Sequence, residues 1–174
     1  MSLKLKNKYD LSIVVPLFNE EGNVLQMVQE VTTALNSTSY QYEIVLVNDG
    51  STDNTLPEAE KTAKKFGTVK VISLSNNLGQ GLAIHKGLES SQGQYVCFLD
   101  GDGQFDPSDI LTLFERLTKD GLDFICGLRQ NRKDSFFFNH LPSRAGNAFI
   151  RWMFKTNFKD VGCALKIAPR KQLL

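Results

Sequence analysis

Cysteine, histidine and long apolar runs are scarce in this 174-residue chain, and each shortage excludes something. The three cysteines, Cys97, Cys126 and Cys163, are odd in number and widely spaced, so no disulfide framework is expected. Two of them sit inside apolar runs and read as buried free thiols in a reducing compartment. His85 and His140 stand apart from each other and from the cysteines, which removes every Cys/His metal spacing. No stretch approaches the roughly 18 apolar residues of a membrane span. Repeats and low-complexity segments are absent. Acids run out toward the C-terminus. Residues 1–128 carry 10 Lys+Arg against 17 Asp+Glu, whereas residues 129–174 carry 10 against 2. The net charge of +1 hides that division. The basic stretch suits phosphates or an anionic membrane surface. The acidic remainder and the lack of a recognition motif argue against nucleic acid.

What is present is concentrated in residues 95–107, Tyr-Val-Cys-Phe-Leu-Asp-Gly-Asp-Gly-Gln-Phe-Asp-Pro. An apolar run ends abruptly in Asp100 and Asp102. Such a run predicts a buried strand, and the carboxyl ends of strands in open α/β sheets are where ligands bind. Two acids around Gly101 reach a common point if the backbone turns there. A divalent cation of oxygen-preferring chemistry, Mg²⁺ or Mn²⁺, removes their repulsion and anchors phosphate oxygens. An EF-hand loop is excluded. Counting from Asp100, Gln104, Phe105 and Leu111 occupy positions where that loop needs an oxygen ligand, Gly and Glu.

Around this motif, apolar periodicity predicts strands over 11–16, 42–47, 69–74, 95–99 and 123–127. Helices are expected over 23–35, 55–66, 79–88 and 107–119, then a helix near 144–155 and a strand near 164–168. The alternation implies right-handed βαβ units and a mainly parallel sheet flanked by helices, an α/β domain spanning 1–174. Two strand ends carry further motifs. After the first come Asn19 and Glu20, open to two readings: facing a ligand, or opening the next helix. After the second come Asn48, Asp49 and Gly50. Gly50 allows close backbone approach and Asp49 offers acceptors to a nucleobase or ribose, whereas Asp53 caps the next helix. Gly79-Gln80-Gly81 is no dinucleotide fingerprint, since position 84 is Ile and the loop follows the third strand.

Together Val15-Pro-Leu-Phe-Asn-Glu20, Val47-Asn-Asp-Gly-Ser-Thr-Asp53, Asn77-Leu-Gly79 and Leu99-Asp-Gly-Asp-Gly-Gln-Phe-Asp-Pro107 resemble a family 2 glycosyltransferase of the GT-A fold. Gln104 and Pro107 resemble the dolichol- or polyprenyl-phosphate mannosyltransferase-like branch. The resemblance implies a nucleotide-diphospho-sugar transferase. In it Pro16, Asn19, Glu20, Asp49, Gly50 and Gly79 belong to the nucleotide site, and Asp100, Asp102 and Gln104 hold the metal on the diphosphate. Asn48 departs from the Asp found in many members.

The resemblance divides the domain into a donor-binding part, 10–128, and a basic acceptor-side part, 129–174, which stops at Leu174 as though truncated. Arg129 and Arg144 are the candidates for gripping an acceptor phosphate, because guanidinium forks match phosphate oxygens. Asp160 is the candidate base or positioning group. Phe136-Phe137-Phe138 reads equally as a membrane-dipping loop or a core segment. The expected activity is metal-dependent, inverting transfer from a GDP- or UDP-sugar to a polyprenyl phosphate at the cytoplasmic face of a membrane, with a homo-oligomer left open. A same-fold transferase acting on a saccharide hydroxyl and a non-catalytic nucleotide-sugar-binding module are the alternatives.

Overall fold

The computed structural model describes residues 7–103, 105–127 and 165–174. Six strands form one sheet: β1 (Tyr9–Leu17), β2 (Tyr42–Asp49), β3 (Val69–Leu74), β4 (Gly93–Phe98), β5 (Ile125–Cys126) and β6 (Lys166–Pro169). The helices are α1 (Val24–Asn36), α2 (Thr55–Lys65), α3 (Gln80–Ser90) and α4 (Pro107–Lys119). The strand order is β3-β2-β1-β4-β6-β5. β3, β2, β1 and β4 are parallel, and β6 lies antiparallel between β4 and β5. The chain therefore builds outward from β1 in one direction through β2 and β3, then crosses back to place β4 on the other side. That reversal makes the β1–β4 carboxyl ends the switch point of the sheet, where a crevice opens.

Both faces of the sheet are buried, which is why its central strands read as continuous apolar runs. On β1, Leu11, Ile13, Val15 and Leu17 belong to a core shared with α1 and α4, whereas Val14 points to a second core with Ala83 and Leu88 of α3. All eight residues of β2 are buried. The α1 stripe Val24, Met27, Val28, Val31 and Leu35 is fully sequestered, as its 3–4 residue spacing requires. Each such side chain contributes roughly 1.5–3 kcal/mol over its exposed state. Phe114 of α4 anchors the same core, meeting Tyr40 and Tyr95 edge-on at 5.0 and 5.3 Å. On the opposite face Gly87 seats α3, since a Cβ there would lie 2.3 Å from Val14 Cγ1. Cys97 is buried and its thiol pKa is pushed far up by burial, so it is an inert core residue.

Two expectations need adjustment. The strand expected to stop at Pro16 continues to Leu17, with Pro16 paired to Val47. Val14 accepts from the Leu99 N–H on the β4 side, so by the two-residue period Pro16 faces that side too. Its missing N–H falls where the β1–β4 ladder has already ended, at the mouth of the crevice. The strand expected over 123–127 is only Ile125–Cys126, and it pairs antiparallel with β6.

Candidate functional site

The crevice at the switch point is a cleft of roughly 360 Å³. Pro16, Phe18 and Glu20 line it from the end of β1, and Asp49 from the end of β2. Gly79 and Gln80 line it from the start of α3, and Asp100, Gly101 and Asp102 from the end of β4. Four of these are acids. No Lys, Arg or His stands among the described lining residues.

Each strand end is shaped by its own sequence. After β4 the chain turns at Gly101, which is buried against β1. A Cβ there would lie 2.7 Å from Leu17 Cδ2 and 3.0 Å from the Pro16 carbonyl oxygen. Glycine thus lets the acidic tip press against the end of β1. Asp100 is half-buried and accepts from the Gln80 side-chain amide at 2.8 Å, and Asp102 is exposed. The tip then passes directly into α4, capped by Asp106, which accepts from the Ser108 N–H at 2.9 Å ahead of Pro107. The Ser108 hydroxyl, then its N–H, hold the Asp106 carboxyl below the usual carboxylate range.

Asp49 is buried and uses both oxygens on backbone, accepting from Leu78 N–H at 2.8 Å and Gly79 N–H at 2.9 Å. It fastens the β3–α3 loop to the end of β2. The close approach anticipated at Gly50 is that same loop. Gly50 has φ +65°, and a Cβ there would sit 2.4 Å from the Asn76 carbonyl carbon. Asn48 is buried below the cleft, donating to Ser73 Oγ and accepting from Ser51 N–H. Its identity therefore sets the packing of β2 on β3.

Asn19 and Glu20 divide between the two readings left open for them. Asn19, at φ 56°, does not line the cleft; its Oδ1 accepts from the Thr52 N–H at 2.9 Å and braces the β1 and β2 ends together. Glu20 lines the cleft, with its backbone N–H bonded to Thr55 Oγ1 and its Oε2 accepting from Asn23. The cap of α1 comes from another helix: Glu58 of α2 accepts from the N–H groups of Gly22 and Leu25. The cap position of α2 is Asn54, not Asp53 as expected; Asp53, one residue earlier, accepts from the Thr55 N–H and hydroxyl. The Thr55 hydroxyl is the main cause of its lowered pKa.

The structure thus gathers Pro16, Glu20, Asp49, Gly79, Asp100 and Asp102 around one cleft, while Asn19 and Gly50 support its walls. Gln104, Arg129, Arg144 and Asp160 lie outside the described residues. Sequence reasoning missed Phe18, Asn77 and Gln80 as lining residues. Gln80 had one signal, its place just after the positive-φ Gly79 that opens α3. A fully formed ligand cage for a cation is absent: among the described residues no group of three or more His, Cys, Asp or Glu is poised for one. Asp100 and Asp102 still fit Mg²⁺ or Mn²⁺, since Mg²⁺ in particular is commonly held by one or two carboxylates, with water and substrate phosphate completing its shell.

Known proteins resemble this chain in sequence and in fold. The chain is 39% identical over 159 residues to dodecaprenyl-phosphate galacturonate synthase of Rhizobium johnstonii, covering 91% of this chain and 47% of that protein. It is 36% identical over 161 residues to undecaprenyl-phosphate 4-deoxy-4-formamido-L-arabinose transferase of Pseudomonas fluorescens, covering 92% and 47%. The chain therefore spans about half the length of these relatives. Among solved structures, glucosyl-3-phosphoglycerate synthase from Mycobacterium tuberculosis, in complex with Mn²⁺ and uridine-diphosphate-glucose, superposes with a TM-score of 0.69 at 22% identity. The match covers 97% of this chain and 59% of that one. The fold is accordingly GT-A. The sequence profile described as "Glycosyl transferase family 2" matches residues 12–169, and on that match, which takes in every strand end around the cleft, the chain belongs to this family.

Proposed function

We propose that this chain is the donor-binding catalytic domain of a glycosyltransferase. The proposed reaction moves a sugar from a nucleoside-diphosphate sugar to a polyprenyl phosphate, with inversion, at the cytoplasmic face of a membrane. The observation that carries this reading is the acidic cleft itself. Glu20, Asp49, Asp100 and Asp102 bring carboxylates to one cleft, the oxygen ligands by which a divalent cation is held on a diphosphate. The names of the relatives support polyprenyl phosphate as the acceptor. None of the helices among the described residues is long and apolar enough to cross a membrane.

In the proposed reaction, Asp102 and Asp100 hold the cation. When bound, Mg²⁺ or Mn²⁺ supplies Lewis-acid stabilisation of the charge that grows on the leaving diphosphate. Pro16 and Glu20 wall the nucleoside side, and Asp49 keeps the β3–α3 loop closed against it. A phosphate monoester is mostly dianionic at pH 7, its second pKa lying near ~6, and needs little general-base help. Positioning by Arg129 and Arg144 then carries the acceptor step, with Asp160 assisting orientation.

The test is a thermal-shift comparison of UDP and GDP, each with and without Mn²⁺, followed by transfer to undecaprenyl phosphate. At 100 times its dissociation constant the correct nucleotide stabilises by about 2.7 kcal/mol, a shift of roughly 5–10 °C for a chain of this size. The expected result is a shift that requires Mn²⁺. Equal shifts without metal, or none with either nucleotide, would defeat the reading.

A further inference from the structure

We propose that the chain carries a second ligand site, for a phosphate group borne on an apolar body, at the end of the sheet opposite the acidic cleft. A cavity of roughly 690 Å³ opens there, against roughly 360 Å³ for the cleft. It lies where the antiparallel β6 ends beside the start of β4, with Pro169 paired to Tyr95, and the residues after α4 close its side. The two sites share no lining residue.

The charge of this cavity is the inverse of the cleft's. Arg170 and Lys171 line it against a single acid, Asp123. That acid is already committed, its Oδ1 accepting from the Gln172 side-chain amide at 2.5 Å. Among the described residues no carboxylate pairs with Arg170 or Lys171. Arg170 is half-buried, and its Nε is shielded from solvent with no acceptor among the described residues. The side-chain amides of Asn7 and Gln94, which also line the cavity, donate to no described residue either. Donors outnumber acceptors here, and an anion corrects that imbalance.

The residue types narrow the anion to a class. A guanidinium fork matches two oxygens of one phosphate, and a neighbouring lysine adds a point charge. Two adjacent cations suit a dianion better than a carboxylate, and a phosphate monoester is mostly dianionic at pH 7. Tyr95, Leu122 and Pro169 supply an apolar wall, with Leu122 left 38% exposed. A cavity of this size, part apolar with a few polar groups, is of the kind that holds small organic ligands. A soluble phosphomonoester and a lipid with a phosphomonoester headgroup present the same chemistry to it.

The experiment follows the backbone amides of the chain by proton–nitrogen correlation NMR in metal-free buffer, as phenyl phosphate and, separately, inorganic phosphate are added. Saturable shifts are expected at Gly121, Leu122 and Lys171, with phenyl phosphate bound several-fold more tightly because its ring meets the apolar wall. Arg170→Gln should weaken binding about tenfold or more, the scale of one charge-assisted hydrogen bond. Gln94 is exposed, so Gln94→Glu should abolish binding by adding an acid while leaving the melting temperature unchanged. Co-sedimentation with phosphatidylcholine vesicles, with and without phosphatidic acid, separates the two sources. Sedimentation that needs phosphatidic acid and is lost in Gln94→Glu identifies a lipid headgroup; phenyl phosphate binding without it identifies a soluble ligand. Unshifted amides at Gly121, Leu122 and Lys171, or equal affinity in wild type, Arg170→Gln and Gln94→Glu, overturns the site. Equal affinity for the two phosphates overturns the apolar half of the assignment.

Discussion

At the amino-terminal end of the sheet Glu43 is buried among partners. Ser12 Oγ donates to it at 2.6 Å, the Gln92 N–H donates to it, and Lys70 Nζ lies 3.1 Å from its other oxygen. At the carboxyl end, Asp49 accepts from two backbone amides and Asp100 from a side-chain amide, around an acidic cleft. Helix α3 joins the two ends. Its last turn gives the Ser90 carbonyl to Lys70, and its first residue gives an amide to Asp100, which matches the helix dipole at each end. A carboxylate paired with a fixed cation is a structural device. Asp49, held by two backbone amides, instead fastens the loop that walls the cleft. The contrast separates fold from function within one sheet.

The sharpest way to break the comparison is to exchange the consequences of the two ends. Asp102→Ala should reduce transfer at least ~100-fold, the scale of losing one transition-state charge stabiliser. Its melting temperature should stay within about 2 °C, as for an exposed substitution outside the packing. Unchanged turnover would remove the cleft from catalysis.

Glu43→Ala is expected to do the reverse. It leaves Lys70, Ser12 and the Gln92 N–H without their acceptor and costs about 2–4 kcal/mol, or roughly 5–15 °C in melting temperature. Lys70 is about a third exposed, which keeps the loss toward the lower figure. Activity per folded molecule should be retained; a specific loss of turnover would show that the two ends are coupled.

Gly50→Ala sharpens the distinction between strain and steric overlap. Gly50 and Gly121 have nearly equal φ, +65° and +63°, but only Gly50 faces backbone, whereas nothing lies within 4 Å of a Cβ at Gly121. Gly121→Ala should cost about 1–2 kcal/mol from conformation alone. Gly50→Ala should cost more and also weaken nucleotide–Mn²⁺ binding several-fold, because it displaces the loop that carries Gln80. Identical effects of the two in melts and titrations would refute the clamping role of Gly50.

The smallest expected effect concerns pH. Asp53 is held below its ordinary value of 3.8, chiefly by the Thr55 hydroxyl. A depressed carboxyl stabilises the fold above the unfolded value and loses that contribution as pH falls through 3.8 and below. Asp53→Asn should therefore flatten the fall in melting temperature below pH 4 without touching the neutral-pH cleft. A slope identical to wild type would assign the acid sensitivity elsewhere.

Much of this was legible in the chain. The first four strands and four helices follow from apolar periodicity, from Pro107 opening α4 and from Asp106 as its cap, because these signals act between neighbours in sequence. The acidic pair at the end of β4 was legible for the same reason, since a buried run can end in two carboxylates only where the chain reaches solvent or a ligand. What no local signal carries is which distant groups meet. The insertion of β6 between β4 and β5, the cap that α2 lends to α1 through Glu58, and the Gln80–Asp100 bond each depend on pairings 20 or more residues apart. Sequence alone thus determined the elements and the acids, through short-range sterics and burial. Tertiary structure decided how each acid is partnered, because that depends on which strand ends the crossover at β1 brings together.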